Sequence, residues 1–420
     1  MIRERFHVAV IGGGIGGLCL AQGLRRAGVS VTVYERDRSA VDRSQGFYHI
    51  RISPQGARAL HDCLPPRLWD AFVASTVSGG QDFAFLTEQM RELLTVKATA
   101  QPDPVRSHHA VSRITLREVL LSGLEDVVVF GKTFERYERA GDGKVVCHFD
   151  DGSTAVADLV VGADGGNSRV RRQYLPHAQR IDTGIITIAG KFPLTEQTKK
   201  LIPARLYEGP NNVIPPRGCG MFIAPHELDE NSPEWDATSY VLWAYGCARR
   251  MLPAGVDLRS CTGEDLRDVV AVMVRQWHPD LRTLVTESDP QTVALLPIRT
   301  SVPIDPWETG NITLLGDAIH SMTPMRGIGA NTALRDGHLL SRCLTDAWNG
   351  EKDLLQAVEE YETAMREYGF AAVRASRRTA QQFVADSGLG RIAFKQFLRF
   401  AERFPWLKHR MFNDTGHRES

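Results

Sequence analysis

The residues best suited to chemistry lie between positions 311 and 337, which read NITLLGDAIHSMTPMRGIGANTALRDG. The stretch begins with the pattern of an apolar strand, which ends at a Gly-Asp pair. A turn that contains Pro and Gly follows. A helix pattern follows from Asn331, and the first amide groups of such a helix point back toward the turn. Asp317 can accept hydrogen bonds from hydroxyl groups, while the N–H groups near Gly329 and Ala330 favour negative charge. The stretch therefore predicts a site for a ligand that carries both hydroxyls and a delocalised anion.

The amino terminus carries a second candidate site. An apolar strand pattern is followed by GGGIGG and then by an amphipathic helix pattern. Gly12, Gly14 and Gly17 satisfy G-x-G-x-x-G, which allows a tight turn, a close approach to pyrophosphate and helix-strand packing. Glu35 ends the next strand pattern, where a carboxylate can bind a ribose hydroxyl, and its neighbour Arg36 is a further candidate. The motif predicts an adenine dinucleotide but does not separate FAD from NAD.

A third segment has the same organisation. Residues 158–171 read DLVVGADGGNSRVR, an apolar strand pattern that ends at Asp164 and is followed by a polar helix start. Asp-Gly is also common in ordinary turns, so this segment alone favours a turn and a ligand contact equally.

The three segments, in this order, resemble those of the class A flavoprotein monooxygenases, the para-hydroxybenzoate hydroxylase-like family. The resemblance extends from about residue 6 to about residue 345. It implies a tightly but non-covalently bound FAD, which Asp164 and Asp317 would contact. It also implies NADPH or NADH as a transient co-substrate, and only one nucleotide motif is present. Many relatives carry Gln where this chain has Ile328, so a side-chain hydrogen bond to the flavin is excluded at that position.

The resemblance also implies a reaction. In this family, reduced flavin and dioxygen form a C4a-hydroperoxide that transfers one oxygen atom to an electron-rich substrate. We therefore expect a single-component monooxygenase that hydroxylates or epoxidises an aromatic or polycyclic small molecule. Pro324 and Gly327 are candidate catalytic positions, because this turn can bring backbone amides to the flavin edge. A same-fold dehydrogenase, oxidase or halogenase is the alternative, although the Trp-x-Trp pair usual in flavin halogenases does not occur here. A non-enzymatic FAD-binding protein is the third hypothesis.

Two arginines are weaker candidates for FAD contacts. Arg43 lies just before Gly46, and Arg113 opens a predicted helix, as arginines beside the flavin do in many relatives. A guanidinium offers several fixed donors to a phosphate or to a ribityl hydroxyl. Arg117, one helical turn later, is an alternative to Arg113. For each of them a solvated surface position is the competing interpretation.

Candidates for binding and activating the substrate rest on residue type. His49 has an unperturbed pKa of about 6.5, near neutrality, and is a candidate base, with Tyr240 as a second. A histidine that merely packs at the cofactor rim is the competing interpretation. Four residues are candidates for a substrate pocket: Arg217, Phe222, Trp243 and Tyr245. For the three aromatic residues, an ordinary place in a sheet core is the alternative.

Three distant segments must meet at one FAD, so the cofactor domain is expected to be discontinuous. The predicted fold is α/β, with a Rossmann-like FAD-binding domain, an inserted antiparallel-sheet substrate domain and a helical C-terminus. Residues 240–245 alternate between two faces, one of which is expected to cover the working edge of the flavin. The predicted boundaries are 1–72, 98–180 and 291–378 for the FAD-binding domain, 73–97 and 181–290 for the substrate domain, and 379–420 for the C-terminal segment.

Composition argues against several other classes of protein. The 50 basic and 50 acidic residues cancel, so nothing indicates a nucleic-acid partner. Seven scattered cysteines without a C-x-x-C pair predict reduced thiols, no metal site and a cytoplasmic location. No apolar run is long enough to predict a membrane span. Residues 388–411 predict a basic amphipathic helix, which favours docking on its own chain or on a second subunit over contact with a membrane surface. A monomer and a homodimer are both open.

Overall fold

The computed structural model describes residues 5–39, 49–78, 82–97, 102–226, 239–252, 257–404 and 406–408. The chain divides into two compact units, each assembled from segments that are distant in sequence. Unit 1 comprises residues 1–79, 100–181 and 299–377, and unit 2 comprises residues 80–99, 182–298 and 378–420. The assignment of the FAD to one unit and of the substrate to the other stays a prediction.

Strands and helices both occur along the whole described part of the chain. The strands are β1 (His7–Ile11), β2 (Ser30–Tyr34), β3 (His49–Ile52), β4 (Val77–Ser78), β5 (Phe83–Thr87), β6 (Glu92–Val96), β7 (His109–Ser112), β8 (Val128–Val129), β9 (Phe134–Arg139), β10 (Val145–Phe149), β11 (Thr154–Ala157), β12 (Leu159–Gly162), β13 (Arg180–Pro193), β14 (Asn211–Ile214), β15 (Cys219–His226), β16 (Tyr240–Ala248), β17 (Ala294–Ser301) and β18 (Ile312–Leu314). The helices are α1 (Ile15–Arg26), α2 (Pro54–Cys63), α3 (Pro66–Ala74), α4 (Arg113–Leu121), α5 (Arg169–Tyr174), α6 (Gly263–Met273), α7 (Pro279–Thr286), α8 (Asp317–His320), α9 (Gly329–Trp348), α10 (Leu354–Phe383) and α11 (Gly388–Arg403). The prediction of a mixed α/β fold is confirmed.

Unit 1 is organised around a five-stranded sheet in the order β18-β12-β1-β2-β8. All of its neighbouring strands pair in parallel. Parallel sheets are usually covered on both faces, which explains why β1 and β12 are apolar without alternation. The last residues of three strands lie side by side, because Ile11 pairs with Gly162 and Gly162 pairs with Leu314. The three motif turns, which follow these strands, therefore lie at the same edge of the sheet.

Unit 2 is organised around a seven-stranded sheet in the order β17-β13-β16-β15-β14-β5-β6. The pairs β13–β16, β16–β15 and β15–β14 are antiparallel, as predicted for this region. However, β5 joins β14 in parallel, so the sheet is not antiparallel throughout. The stretch from Thr262 to Ser288 begins as helix α6, and a second helix, α7, follows it. Thr262 caps α6 with a reciprocal hydrogen-bond pair to Asp265, and Pro279 opens α7, since proline is favoured in the first helical turn.

The C-terminal helix α11 departs from its predicted pattern. It ends at Arg403, and its apolar residues do not share one environment, because Leu398 and Ala401 are buried whereas Ile392 and Phe397 are exposed. Arg391, expected on the polar side, is buried and donates hydrogen bonds to four backbone carbonyls. Burial follows contact with β6 and the β14–β15 turn rather than hydropathy alone. Among the described residues, no helix is long and apolar enough to cross a membrane.

Candidate functional site

The glycine turn after β1 is closely packed on one side and open on the other. Gly12 has a φ of +112°, and a Cβ placed there would lie 2.5 Å from the carbonyl oxygen of Ala163. A Cβ on Gly17 would lie 2.3 Å from the carbonyl oxygen of Gly12. A Cβ on Gly14, at the start of α1, would meet no atom within 4 Å. Two glycines thus satisfy the turn and its packing, and the third leaves room for a ligand beside the N-terminus of α1.

The carboxylate of Glu35 holds this turn in place. It is buried, and its two oxygens accept hydrogen bonds from the amides of Gly13 at 2.5 Å and Asp37 at 2.9 Å. An ionised carboxylate has about four acceptor sites, so a ribose hydroxyl could still bind it. The neighbouring Arg36 side chain is exposed.

Arg117, on α4, contacts the glycine turn. Its Nε lies 3.3 Å from the carbonyl oxygen of Gly13, and its Nη2 lies 3.1 Å from Oδ2 of Asp37. Arg113 is half-buried at the first position of the helix. Arg43 lies outside the described residues, so its predicted contact with the flavin remains a prediction.

The second carboxylate at this sheet edge belongs to Asp164, after β12. Its Oδ2 accepts hydrogen bonds from the amides of Arg169 at 2.7 Å and Val170 at 3.3 Å, which begin α5. Its Oδ1 is buried and has no hydrogen-bond partner among the described residues. Burial raises the pKa of Asp164 and outweighs these hydrogen bonds, which favour the ionised form. An unpaired buried acceptor beside the glycine turn is suited to a hydroxyl donor from a ligand.

The third carboxylate, Asp317, is exposed at the start of α8. Gly316, before it, has a φ of +62°, which explains the glycine in this sharp exit from the strand. Arg180, which the sequence did not single out, lies near the Asp317 charge. Burial lowers the pKa of the Arg180 guanidinium, and the Asp317 charge partly offsets that effect. Its Nη1 lies 3.3 Å from Oδ1 of Asn167, so Arg180 links the turns after β12 and β18.

A buried network below this turn was also missed by the sequence. Asp336 is fully buried, and its Oδ2 accepts hydrogen bonds from the Gly316 amide at 2.7 Å and from His320 Nε2 at 2.6 Å. Its Oδ1 accepts a hydrogen bond from the Tyr368 hydroxyl at 2.6 Å. Burial lowers the pKa of His320, but the charge and hydrogen bond of Asp336 outweigh it, so the net shift is upward. The network holds together α8, α9 and α10, and it positions the turn that presents Asp317.

The turn before α9 also differs in detail from its sequence interpretation. Pro324 opens a short 3-10 helix, and Gly327 follows in the left-handed conformation with a φ of +62°. Gly329 and Ala330 begin α9 and are half-buried. Asn331 uses its side chain within the protein, accepting from the Ser53 amide at 2.7 Å and donating to a backbone carbonyl of β3 at 2.8 Å. Its side chain therefore braces the helix start, and only backbone groups there remain candidates for ligand contact.

The sheet of unit 2 separates the substrate candidates by face. Trp243 and Tyr245 are almost completely buried on the face that packs against α6 and α7. Trp243 donates its indole N–H to Ser288 Oγ at 2.7 Å, and Tyr245 packs against Trp277. The prediction that these two residues line a substrate pocket is therefore wrong, because core packing uses both rings.

Tyr240 and Phe222 lie on the opposite face of the same sheet. Phe222 is 38% exposed, and Tyr240 stacks on His226 with ring centroids 4.5 Å apart. The Lys191 ammonium lies 4.1 Å from the Tyr240 ring centroid. Arg217 is exposed in the turn before β15. His49 begins β3, but its side chain lies outside the described part of the chain.

The glycine turn and the two carboxylate turns agree with what comparison with known proteins finds. A family described as FAD binding domain matches residues 5–376. The chain belongs to this family. It is 31% identical over 394 residues to 3-amino-4-hydroxybenzoate 2-monooxygenase of Streptomyces cremeus, covering 92% of this chain and 90% of that protein. The resemblance to flavoprotein monooxygenases is thereby confirmed, and FAD is the cofactor that the family binds.

Some relatives of the chain are longer. The chain is 30% identical over 392 residues to the dual O-methyltransferase/FAD-dependent monooxygenase elcB of Phaeosphaeria nodorum, covering 85% of this chain and 42% of that protein. It thus spans less than half the length of such dual-function relatives.

Solved structures agree with the family assignment. A crystal structure from Photorhabdus luminescens, assigned as an FAD-containing monooxygenase, has a TM-score of 0.80 and 38% identity, covering 90% of this chain and 98% of that one. Klebsiella pneumoniae HpxO, solved with FAD and uric acid, has a TM-score of 0.77 at 23% identity, covering 96% and 95% of the two chains. The second similarity shows a common fold.

Proposed function

We propose that the protein is a single-component FAD-dependent monooxygenase that uses NADPH or NADH and dioxygen to hydroxylate or epoxidise an aromatic or other electron-rich small molecule. The observation that carries this proposal is the register of β1, β12 and β18, which gathers a glycine turn and two carboxylate turns at one sheet edge. In open parallel sheets, ligands bind beyond the carboxyl ends of the strands. The relatives of this chain that are named as monooxygenases supply the reaction type.

The residues at this edge fit FAD. The open side of Gly14 and the first turn of α1 would face the pyrophosphate, and Glu35 would accept from the adenosine ribose. Asp317 and the unpaired oxygen of Asp164 would accept hydrogen bonds from hydroxyls of the cofactor. The N–H groups at the start of α9, near Gly329, would stabilise negative charge on the ring. When bound, FAD would supply the transfer of electrons from the nicotinamide and of one oxygen atom from dioxygen.

The protein itself would orient the substrate and exclude water. Phe222, Leu242 and Ala244 offer an apolar surface on the open face of the unit 2 sheet. Apolar surroundings protect a reactive oxygen donor from water and strengthen the electrostatic effects of nearby groups. Tyr240 is retained as the candidate base, because it shares this face with Phe222. His49 is retained as a candidate, as are the backbone groups of Pro324 and Gly327.

Product analysis under labelled dioxygen tests the proposal. The FAD-loaded protein is first screened against aromatic compounds for NADPH and NADH oxidation, with hydrogen peroxide measured in parallel to quantify uncoupled turnover. With an accepted substrate, we expect mass spectrometry to show one labelled oxygen atom in the product and one nicotinamide consumed per turnover. An oxidised product without label would overturn the proposal and favour a dehydrogenase or oxidase of the same fold.

A further inference from the structure

One side of the C-terminal helix α11 is anchored on unit 2. Leu398 and Ala401 are fully buried and pack in one apolar cluster with residues of β6 and β14. Arg391 is buried beside them and donates a hydrogen bond to the carbonyl oxygen of Cys219 at 2.9 Å. With about 3.6 residues per turn, positions 391, 398 and 401 lie on the same side of the helix. The rest of the helix surface therefore points away from this anchor.

A second side of α11 carries a row of large apolar side chains that are exposed. Leu389, Phe397, Phe400 and Phe404 recur at helical spacing and lie on one side of the helix. We call these four residues the outer row. Their exposed fractions range from 38% to 83%, and Trp406, just beyond the helix, is 63% exposed. Contiguous apolar surface of this kind marks an interaction site in soluble proteins, whereas scattered single residues do not.

Positive charge lies next to the outer row. Arg399 and Arg403 are one helical turn apart, and both are exposed. Neither forms an ion pair or a hydrogen bond with another described residue. Glu402 is the only acidic residue in the sequence from 388 to 408, and its carboxylate pairs with Lys408 at 2.9 Å. The exposed surface of α11 therefore combines aromatic rings with two guanidinium groups that lack a counter-charge.

This combination favours an anionic lipid surface over a second copy of the chain. A symmetric partner that packed on the outer row would bring its own Arg399 and Arg403 to the same interface. Like charges that meet at an interface weaken association, and α11 offers no unpaired carboxylate to compensate them. Helices that lie on membranes combine Trp, Phe and Leu with Lys and Arg, as α11 does. Negative headgroups would supply the counter-charges.

We infer that α11 docks unit 2 on the surface of an anionic membrane, with the helix axis in the plane of the headgroups. The outer row enters the boundary between headgroups and acyl chains, and Arg399 and Arg403 contact lipid phosphates. The anchored side of the helix stays on unit 2, so docking requires no unfolding. The sequence favoured docking of this helix on protein, and the structure shows that one of its sides does so. The inference is independent of the proposed function.

Flotation with lipid vesicles tests this inference. The FAD-loaded full-length protein is mixed with vesicles of phosphatidylcholine alone, or of phosphatidylcholine and phosphatidylglycerol. We expect the protein to float with the anionic vesicles and to remain in solution with the neutral ones. Binding should weaken between about 0.1 M and about 1 M salt, because the Debye length falls from about 10 Å to about 3 Å. Titration with vesicles gives the apparent affinity of each variant.

Two arginine variants test the charged part of the surface. Arg399→Gln with Arg403→Gln should weaken binding to the anionic vesicles roughly 25-fold, since each basic residue near such a surface contributes about a fivefold change in affinity. The matched control is Arg259→Gln with Arg282→Gln, which removes two exposed arginines elsewhere in unit 2. The control should retain the wild-type affinity, because its positions do not belong to α11.

A further pair of variants tests the apolar part. Phe397→Ser with Phe400→Ser should weaken vesicle binding at least about tenfold, because two rings no longer leave water for the lipid boundary. The matched control is Leu201→Ser with Val272→Ser, which removes two side chains of unit 2 that are exposed to a similar extent. This control should bind as the wild type does. Circular dichroism and flavin absorbance would verify that each variant is folded and loaded.

Several results would overturn the inference. The wild type could fail to float with anionic vesicles, float equally with both kinds, or bind no better than the two α11 variants. Analytical ultracentrifugation of the same samples tests the competing occupant. A wild-type dimer that Phe397→Ser with Phe400→Ser converts to a monomer would show that a second copy covers the outer row, and it would reject the membrane.

Discussion

The sheet edge of unit 1 and the open sheet face of unit 2 present different chemical groups. At the edge, backbone amides, glycine turns and carboxylates are linked by hydrogen bonds, as with Glu35 and Gly13. On the face, cross-strand register determines which side chains stand together, as with Phe222 and Ala244. The site at the edge depends on a few local backbone conformations. On the sheet face, side chains can be substituted while the sheet itself is kept. In the proposed function, the edge would bind the cofactor and the face would bind the substrate.

The largest expected effect is a loss of stability that differs between the two faces of the unit 2 sheet. Trp243→Ala should lower the free energy of unfolding by about 3–5 kcal/mol, because it opens a cavity in the core and leaves Ser288 without its indole donor. Phe222→Ala should lower it by about 1 kcal/mol or less, since this ring is 38% exposed. Urea unfolding measures both values. Similar losses for the two variants would contradict the assignment of faces.

A comparable loss is expected at the buried network of unit 1. Asp336→Ala leaves the Gly316 amide, His320 and Tyr368 without their acceptor, which should cost about 3–5 kcal/mol of stability. Asp336→Asn keeps the shape but not the charge and should lose less. If the network positions Asp317, Asp336→Asn should also weaken FAD binding in fluorescence titrations at temperatures where the variant is fully folded. Unchanged FAD affinity would reduce the network to a purely structural role.

Intermediate effects are expected for the carboxylates at the edge. Asp317→Ala and Glu35→Ala should each lose about 1.5–3 kcal/mol of FAD binding, roughly a ten- to hundredfold weaker affinity, because a charge-assisted hydrogen bond is removed. Glu35→Ala should in addition lower stability, since its carboxylate holds two amides of the protein.

The control for these variants is Asp70→Ala, which removes an exposed carboxylate from α3. Arg391→Ala, which the C-terminal helix pattern would have recommended, is unsuitable because Arg391 is buried and hydrogen-bonded. Equal FAD affinity in Asp317→Ala, Glu35→Ala and Asp70→Ala would break the assignment of the edge to the cofactor.

The smallest effects concern two histidines with opposite pH dependence. The pKa of His320 is raised, so its contribution to stability is complete below its unfolded pKa of about 6.5 and is lost as the pH rises through the higher folded value. Burial, and then the Lys191 charge, lower the pKa of His226 to about 4. Its contribution is present above about pH 6.5 and is lost as the pH falls toward 4.

Each histidine can change stability by at most about 1.4 kcal/mol per pH unit within its window. Melting temperatures of wild type, His226→Gln and His320→Gln, measured from pH 4.5 to 8.5, test the two signs. The difference between wild type and His226→Gln should vary mainly below neutrality, and that for His320→Gln mainly above it. The same window for both would contradict the environments assigned to them.

Features that depend on neighbouring residues could be predicted from the sequence. The positive φ of Gly12 and the close contact at Gly17 arise within one strand-turn-helix unit, so the spacing of the glycines is sufficient to indicate them. The cap at Thr262 is also local, because its partner Asp265 lies three residues away. Such features can be predicted because each is encoded in a short segment that has few alternative structures.

The Asp336 network could not be predicted in the same way. Its hydrogen bonds join residues 16, 20 and 32 positions apart, on three helices and the turn before α8. Whether a buried carboxylate is paired, and with which donors, depends on how those helices pack. Arg180 was missed for the same reason, since no spacing distinguishes it from a surface residue.

By itself, the sequence determined the family, the α/β fold and the three turns that gather at one sheet edge, because glycine conformations and strand-turn-helix patterns are local requirements. It also determined that residues 240–245 alternate between two faces, since side chains of a strand point in opposite directions in turn. Which face is open was decided only by the tertiary structure. Helices α6 and α7 cover the side of Trp243 and Tyr245, so Tyr240 and Phe222 are left on the other. Alternation offers two equivalent choices, and only packing against elements elsewhere in the chain distinguishes them.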